Sequence, residues 1–418
     1  MTVPTLRLPD HLSAPLAAGH PWVYRDHVAG RPDLPDGAWV RVEAGRAAAV
    51  GLWAAEGAIA VRVFRRDPSG GPLAAPDRGW AEAAVARALD ARSPVTAADT
   101  DAYRLLFGEG DGVPGLTVDR YGRYAVVRTY TDGYRQADSD AHALRGWVVR
   151  ALAAALRLRG VIDAPRDGAP RDGAAPAALH GEPPPPEVTV REHGLAFLAN
   201  LYEGQKTGLF LDHRDNRATV RRWAAGRMVA NLFAYAGAFS VHALAGGARR
   251  AVDVDVAPAA LRDAARNVAA NDAAIRAATL GDDRPAADRH ATLALDLLAD
   301  PAAALGHPAL AGSDLIVLDP PSLARHKGQR HAALRAYRRL NRAAMAALPA
   351  GGLLATASCT AQVGPDAFRA VLAEAAAEAD VDARVLHEAG HAADHPVPLA
   401  FPEGRYLKFV LLRIDGRR

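Results

Sequence analysis

The chain has 418 residues, with 50 Lys plus Arg against 47 Asp plus Glu, a formal net charge of +3, and one cysteine, Cys359. A single cysteine excludes an intramolecular disulfide framework and any multi-cysteine zinc or iron–sulfur site. No apolar run approaches the roughly 18 residues of a membrane span, and MTVPTLRLPD lacks the apolar segment of about 7–15 residues that a signal peptide needs, so a cytoplasmic globular chain with no membrane partner is expected.

Hydrophobic residues make up 50% of the chain but aromatics only 6%, so alanine supplies much of the apolar half. Of the basic residues, only Lys206, Lys327 and Lys408 are lysines. With so small a net charge, any basic surface has to come from clustering.

In chain order, residues 1–70 carry short apolar stretches, Trp39 to Val42, Val50 to Trp53 and Ile59 to Phe64, separated by Gly, Pro and Asp. That is a small, mostly β pattern. Pro68-Ser69-Gly70-Gly71-Pro72 punctuates it, residues 77–92 recover a helical period, and Tyr103 to Tyr130 holds two strand-like runs around GEGDGVPG. A helix is expected near 140–157. Residues 163–187, with APRDG twice and a PPPP run, read as an exposed, partly disordered loop. After residue 188 the buried-type runs MVANLF (228–233), RRAVDVD (249–255), DLIVLD (314–319) and GLLATASC (352–359) alternate with alanine-rich helical stretches. Such alternation predicts a mainly parallel, doubly wound sheet.

In open α/β sheets, ligands bind beyond the carboxyl ends of the strands, so each strand can be read by what stands at its end. The first runs into NLFAYAGAFS (231–240), which has Gly237 but no GxGxxG; a pyrophosphate cradle is therefore disfavoured. The second ends in Asp253-Val254-Asp255, and Asp255 lies where an acidic residue accepts hydrogen bonds from ribose hydroxyls. A nucleoside without pyrophosphate is the better fit. The third ends in Asp319-Pro320-Pro321, which either presents a carboxylate and a rigid backbone to the ligand or simply terminates the strand. The basic loop after it, Arg325, His326, Lys327 and Arg330, either holds phosphates or forms a solvated face. The last strand ends in Ser358-Cys359-Thr360. An isolated cysteine is an inert buried residue in many proteins, but at the sheet end that carries Asp255 and Asp319 a thiolate can attack carbon.

The stretches HPWVYRDHV (20–28), YRLLFGEGDGVPGLTVDRYG (103–122), GQKTGLFLDHRDNR (204–217), NLFAYAGAFSVHALAGGA (231–248), VDVAPAALRDAARNVAAND (254–272), DLIVLDPPSLARHK (314–327), GGLLATASCT (351–360) and HPVPLAFPEGRYLK (395–408) occur in that order. With them the chain resembles the bacterial 23S rRNA large-subunit cytosine methyltransferases that carry an N-terminal PUA domain, class I S-adenosylmethionine-dependent enzymes that make 5-methylcytosine. The resemblance implies a multidomain fold: a PUA-like RNA-binding β-barrel at 1–72, a small central α/β domain at 75–187 and a Rossmann-like methyltransferase domain with a mostly parallel sheet at 188–418. It implies S-adenosylmethionine as cofactor, with Asn231, Phe233, Tyr235 and Gly237 at its methionine end, Asp255 on the ribose, Asp296 on the adenine amino group, and Asp319 and Pro320 between methyl donor and base. Cys359 becomes the nucleophile that adds to carbon 6 of cytosine, and Asp319 a hydrogen-bond partner of the ring. RNA is the expected partner, with Lys206, Arg214, Arg325 and Lys327 as candidate contacts; no metal is expected, and a homodimer is left open. Two departures stand out: alanines in the AYAGAF turn, and the 163–187 insert, which fits no family strand.

Three other readings compete. A guanine N-methyltransferase would share the first-strand and DPP motifs but need no thiol. HEAGH at 387–391, with His395, matches the H-E-x-x-H pattern of a zinc protease, which requires a helix. A non-catalytic RNA-binding protein would have no use for Asp255, Asp319 and Cys359 together.

Overall fold

The computed structural model describes residues 3–30, 32–164, 178–202, 209–279 and 284–418. Two compact units divide the chain: residues 1–190 with 199–209 and 393–404, and residues 191–198 with 210–392 and 405–418.

In the first unit, β1 (Thr5–Arg7), β2 (Trp22–Tyr24), β3 (Trp39–Ala44), β4 (Ala47–Trp53) and β5 (Ile59–Asp67) form a five-stranded sheet in the order β1-β3-β4-β5-β2, with the short helix α1 (Ser13–Ala18) between β1 and β2 in sequence. A second sheet, β10-β9-β8-β7-β6, is built from β6 (Ala102–Phe107), β7 (Leu116–Tyr121), β8 (Tyr124–Thr129), β9 (Gly160–Asp163) and β10 (Ala178–Gly181), beside helices α2 (Arg78–Ala91), α3 (Ser93–Ala97) and α4 (Asp140–Leu156). Trp39, Val50 and Leu52 of the first sheet share one apolar core with Val85, Tyr103 and Leu144 of the second layer. The Trp39 ring meets Phe64 edge-on at 5.1 Å, and Phe64 meets Trp80 of α2 at 5.7 Å. Residues 178–181, expected as loop, instead pair antiparallel with β9. Four residues with few apolar side chains carry no readable strand period; the free edge of β9 supplies the hydrogen bonds that make them a strand.

A hairpin of β11 (Val188–Glu192) and β12 (Leu195–Ala199) forms a two-stranded sheet. The second unit is built on a seven-stranded sheet of β13 (Met228–Leu232), β14 (Arg250–Asp255), β15 (His290–Ala294), β16 (Leu315–Leu318), β17 (Leu353–Ser358), β18 (Val381–Ala389) and β19 (Lys408–Arg417), in the order β15-β14-β13-β16-β17-β19-β18. The first five in that order are mutually parallel, and β19 runs antiparallel to both neighbours. The order reverses between β13 and β16, and that switch fixes where a ligand can enter. Helices α5 (Arg214–Trp223), α6 (Ala238–Ala245), α7 (Pro258–Ala270), α8 (Asp272–Ala277), α9 (Pro301–Leu305), α10 (Arg330–Ala347) and α11 (Pro365–Glu378) complete the unit. Ala333, Tyr337, Leu340, Ala344 and Met345 recur at helical spacing on α10, and with Leu318, Leu354 and Phe368 they enter the core. Among the described residues no helix is long and apolar enough to cross a membrane.

Candidate active site at the carboxyl end of the parallel sheet

The turn from β13 into α6 holds Phe233, Tyr235 and Gly237 at φ of 58°, 48° and 70°. Left-handed backbone at two aromatic residues costs of order 1–3 kcal/mol each and persists only where the surroundings impose it. Here Ala234 N–H donates to the Val254 carbonyl at 3.0 Å, Tyr235 N–H to Asp255 Oδ2 at 2.9 Å, and the Asn267 amide to the Ala236 carbonyl at 2.9 Å. A Cβ on Gly237 would stand 2.6 Å from Asp253 Oδ2 and 2.7 Å from Ala264 Cβ. Gly237 thus lets the turn press onto β14 and α7. Phe233 and Tyr235 stay half-buried.

Beneath this turn Asp253 is fully buried and accepts hydrogen bonds from the Asn231 amide at 2.7 Å, the Ser240 hydroxyl and His290 Nε2 at 2.8 Å. A buried carboxylate has to be satisfied in this way. Asn231, expected at the cofactor, is itself buried, and its amide is spent on Asp253; it supports the turn from below. Asp253 went unnoticed as a site residue, although an acid in the middle of the apolar run RRAVDVD was the signal.

Two residues further along β14, Asp255 emerges half-buried at the strand end. Its carboxylate takes Tyr235 N–H at 2.9 Å and Ala257 N–H at 2.9 Å, and its carbonyl accepts from Leu295 N–H at 3.1 Å. That last bond brings the end of β15 alongside. Asp296 is exposed there, with Oδ1 accepting from Leu298 N–H at 2.9 Å and Ala299 N–H at 3.2 Å.

At the ends of β16 and β17 the remaining candidates converge. Asp319 is half-buried, Pro320 is buried, and the Cys359 thiol lies 4.0 Å from the Pro320 carbonyl. Thr360 ties the two loops together: its hydroxyl accepts Leu323 N–H at 3.0 Å and pairs with the Tyr337 hydroxyl at 2.8 Å. Burial pushes the Tyr337 hydroxyl up to about 12, so it stays neutral.

Sequence reasoning missed His213. It closes the short turn Leu211–His213 before α5, is 3% exposed, and sets Nε2 at 3.3 Å from Asp319 Oδ2. Its Nδ1 stands 3.1 Å from the Asn216 amide nitrogen, which also donates to the Gly390 carbonyl at 3.1 Å. The carbonyl can only accept, so the amide orientation is fixed, Nδ1 accepts, and Nε2 carries the hydrogen facing Asp319.

Of the four candidate RNA contacts, Arg325 and Lys327 are exposed on the loop after the DPP motif, and Lys206 lies outside the described residues. Arg214 is 1% exposed with Nε at 3.1 Å from Asp215, so it offers no charge to a surface ligand; its place in the first turn of α5 turns it inward. HEAGH lies on β18 and the bend after it, where Glu388 pairs with Arg369 at 3.0 Å and His391 Nε2 accepts Leu407 N–H at 3.2 Å. The helix that a zinc motif requires is absent from that segment.

Comparison with known proteins gives this arrangement a family. Residues 167–396, more than half of the chain, match the model of S-adenosylmethionine-dependent methyltransferases, and residues 6–66 match a PUA-like domain. The chain is 36% identical to a ribosomal RNA large subunit methyltransferase of Deinococcus radiodurans over 99% of this chain and 98% of that one. It is 33% identical to a ribosomal RNA large subunit methyltransferase I of Shewanella denitrificans, covering 94% and 95% of the two chains. A solved SAM-dependent methyltransferase from Streptococcus mutans shares the fold with a TM-score of 0.76 at 21% identity, covering 98% of this chain and all of that one. A second solved methyltransferase, complexed with SAH, gives a TM-score of 0.78 at 22% identity, with the same coverage. With its PUA-like domain ahead of a Rossmann-like methyltransferase unit, the chain belongs to the S-adenosylmethionine-dependent methyltransferases, in the family of the ribosomal RNA large subunit enzymes.

Proposed function

We propose that the protein methylates carbon 5 of a cytosine in large-subunit ribosomal RNA through a covalent adduct on Cys359. The observation that carries this reading is the thiol 4.0 Å from the Pro320 carbonyl, beside the half-buried carboxylate of Asp319. An enzyme that methylates an exocyclic or ring nitrogen has no use for a thiol there, because the nitrogen is already a nucleophile.

The chain's residues fit the methyl donor. Asp255, pinned by two backbone N–H groups and still half-exposed, suits the ribose hydroxyls. Asp296, with one oxygen committed to its own turn, suits the adenine amino group. Phe233 and Tyr235 offer half-buried rings beside the β13 turn, and Gly237 and Asn231 hold that turn in shape. Asp319 and Pro320 lie between the donor and the base.

S-adenosylmethionine supplies an electrophilic sulfonium methyl to carbon 5. Everything else falls to the protein. Carbon 5 of cytosine is too weakly nucleophilic by itself, so Cys359 Sγ adds to carbon 6 and drives electron density toward carbon 5, while Asp319 hydrogen-bonds the ring. After methylation the proton on carbon 5 leaves, the Sγ–C6 bond breaks, and the thiolate is regenerated. The target base has to be unstacked to reach such a pocket. Arg325 and Lys327, exposed on the loop beside it, take the flanking phosphates, and the PUA-like domain adds RNA affinity. The cytoplasm is the compartment this substrate implies.

One assay tests the reading. The protein is incubated with rRNA and labelled S-adenosylmethionine, the RNA is digested, and the labelled nucleoside is identified, with C359A alongside. Label in 5-methylcytidine that disappears in C359A is expected; label in guanosine, or full activity in C359A, rejects the covalent cytosine mechanism.

A further inference from the structure

We infer that Lys408 is a positioning residue that holds a cation against Cys359 and keeps the thiol poised as thiolate. This goes beyond the reading above and rests on its placing of Cys359 as nucleophile.

Lys408 opens β19 and is the register partner of Ser358, the last residue of β17. Side chains of directly opposed residues in an antiparallel pair share a face, so the lysine enters the site at the residue preceding Cys359. Its Nζ donates to the carbonyl of Thr360, the residue following Cys359, at 2.7 Å, and to the Tyr406 carbonyl at 2.8 Å. The ammonium is therefore fastened to the backbone on the far side of the thiol. Lys408 is only 4% exposed, and among the described residues no carboxylate lies within 4.0 Å of Nζ to neutralise it. An ammonium has three N–H donors, and two carbonyls use two of them. A buried cation without a counter-ion is costly, and the thiolate of Cys359 is the anion within its field.

The other titratable groups around the thiol do not supply that charge. Asp319, past the end of β16, is acidic and opposes a thiolate; His213 behind it presents its N–H to Asp319. Tyr337 of α10 is held neutral by burial. Burial also pulls Lys408 down to about 8, with Cys359 pulling the other way, so a proton shared between thiol and amine is balanced near neutral pH. Composition makes the same point. A chain that uses arginine for all but three of its 50 basic residues places a lysine in this buried position. A compact ammonium fits between two carbonyls and a sulfur; a guanidinium fork does not.

Because Cys359 is the only cysteine, its titration can be read directly. The full-length protein and its K408M and K408R variants are alkylated with iodoacetamide across pH 5.5 to 9.5, and adduct formation is followed by intact mass. In the wild-type protein the rate should reach half its maximum below the ordinary thiol value of about 8.5. K408M, checked for folding by circular dichroism and S-adenosylmethionine binding, should move that midpoint up by about one unit, a roughly tenfold slower reaction at pH 7. K408R, which keeps the charge, should restore part of the shift. A wild-type midpoint at or above 8.5, or coincident profiles for wild type and a folded K408M, overturns the inference. Neither readout depends on which base is methylated: a shifted profile together with label in guanosine would keep the lysine's role and reject the cytosine reading.

Discussion

Nε2 of His213 stands 3.3 Å from Oδ2 of Asp319, with the histidine's other nitrogen held by the Asn216 amide. The carboxylate therefore meets its substrate from an orientation that a buried neighbour sets. Replacing His213 with Ala should leave S-adenosylmethionine binding intact, as read by calorimetry, while the single-turnover methylation rate falls on the order of 10²-fold, the usual effect of a small misplacement at a reacting centre. Asn216→Ala should give a smaller loss in the same direction.

Gly237 tests the turn. Ala there needs φ near +70° and puts its Cβ 2.6 Å from Asp253 Oδ2. G237A should lose about 1–3 kcal/mol of stability in thermal or urea unfolding and bind S-adenosylmethionine more weakly, because the turn cannot close onto β14.

Asp255→Ala removes the proposed partner of the ribose. A charge-assisted hydrogen bond is worth roughly 1.5–3 kcal/mol, so affinity for S-adenosylmethionine should fall about tenfold to a hundredfold in calorimetric titration. The turn should stay folded, since Ala234 and Gly237 keep their own backbone bonds. Unchanged affinity would remove Asp255 from the cofactor site.

Arg325 and Lys327 should act through phosphate. The double alanine variant is expected to weaken RNA binding without regard to sequence, and to reduce the slope of log affinity against log salt by about 1 for each cation removed. Arg214→Ala should leave that slope unchanged and lower stability instead, because this residue is buried.

Acid stability turns on His242. Burial drives its imidazole down to about 4, and at neutral pH it donates Nε2–H to Glu192 at 3.0 Å. Between about 4 and the ordinary 6.5 the unfolded chain binds the proton that the folded one refuses, so stability declines as pH falls through that window. Burial would raise Glu192, but Arg217 and His242 overcome it and hold its carboxyl below the usual range, so its contribution is lost only at still lower pH. The urea midpoint should fall from pH 7 to pH 4.5 in the wild-type protein, and the slope should flatten in H242Q.

The parallel strands of the second unit were legible because buried parallel strands read as short apolar runs, and the residues that end them, Asp255, Asp319 and Cys359, could be named from their position alone. What escaped the sequence was the layer underneath. Asn231 and Asp255 both stand near a strand end, yet Asn231 turns down onto Asp253 while Asp255 turns out, and no spacing distinguishes the two. His213, Arg214 and Asn216 are adjacent in a polar run that reads as a solvated helix start, although all three are buried. Lys408 read as a residue organising the last strands; its link to Thr360 is a contact across 48 residues that only the antiparallel register of β17 and β19 creates.

Thr360 is where two loops become a single mechanical part. Its hydroxyl receives Leu323 N–H and meets the Tyr337 hydroxyl, and its carbonyl takes the Lys408 ammonium. A substitution that displaces the DPP loop is then transmitted to the thiol through one side chain. Selection for second-site revertants of a damaged loop should return changes at residues 358–363 and on the facing side of α10, far from the original lesion in sequence but one hydroxyl away in space.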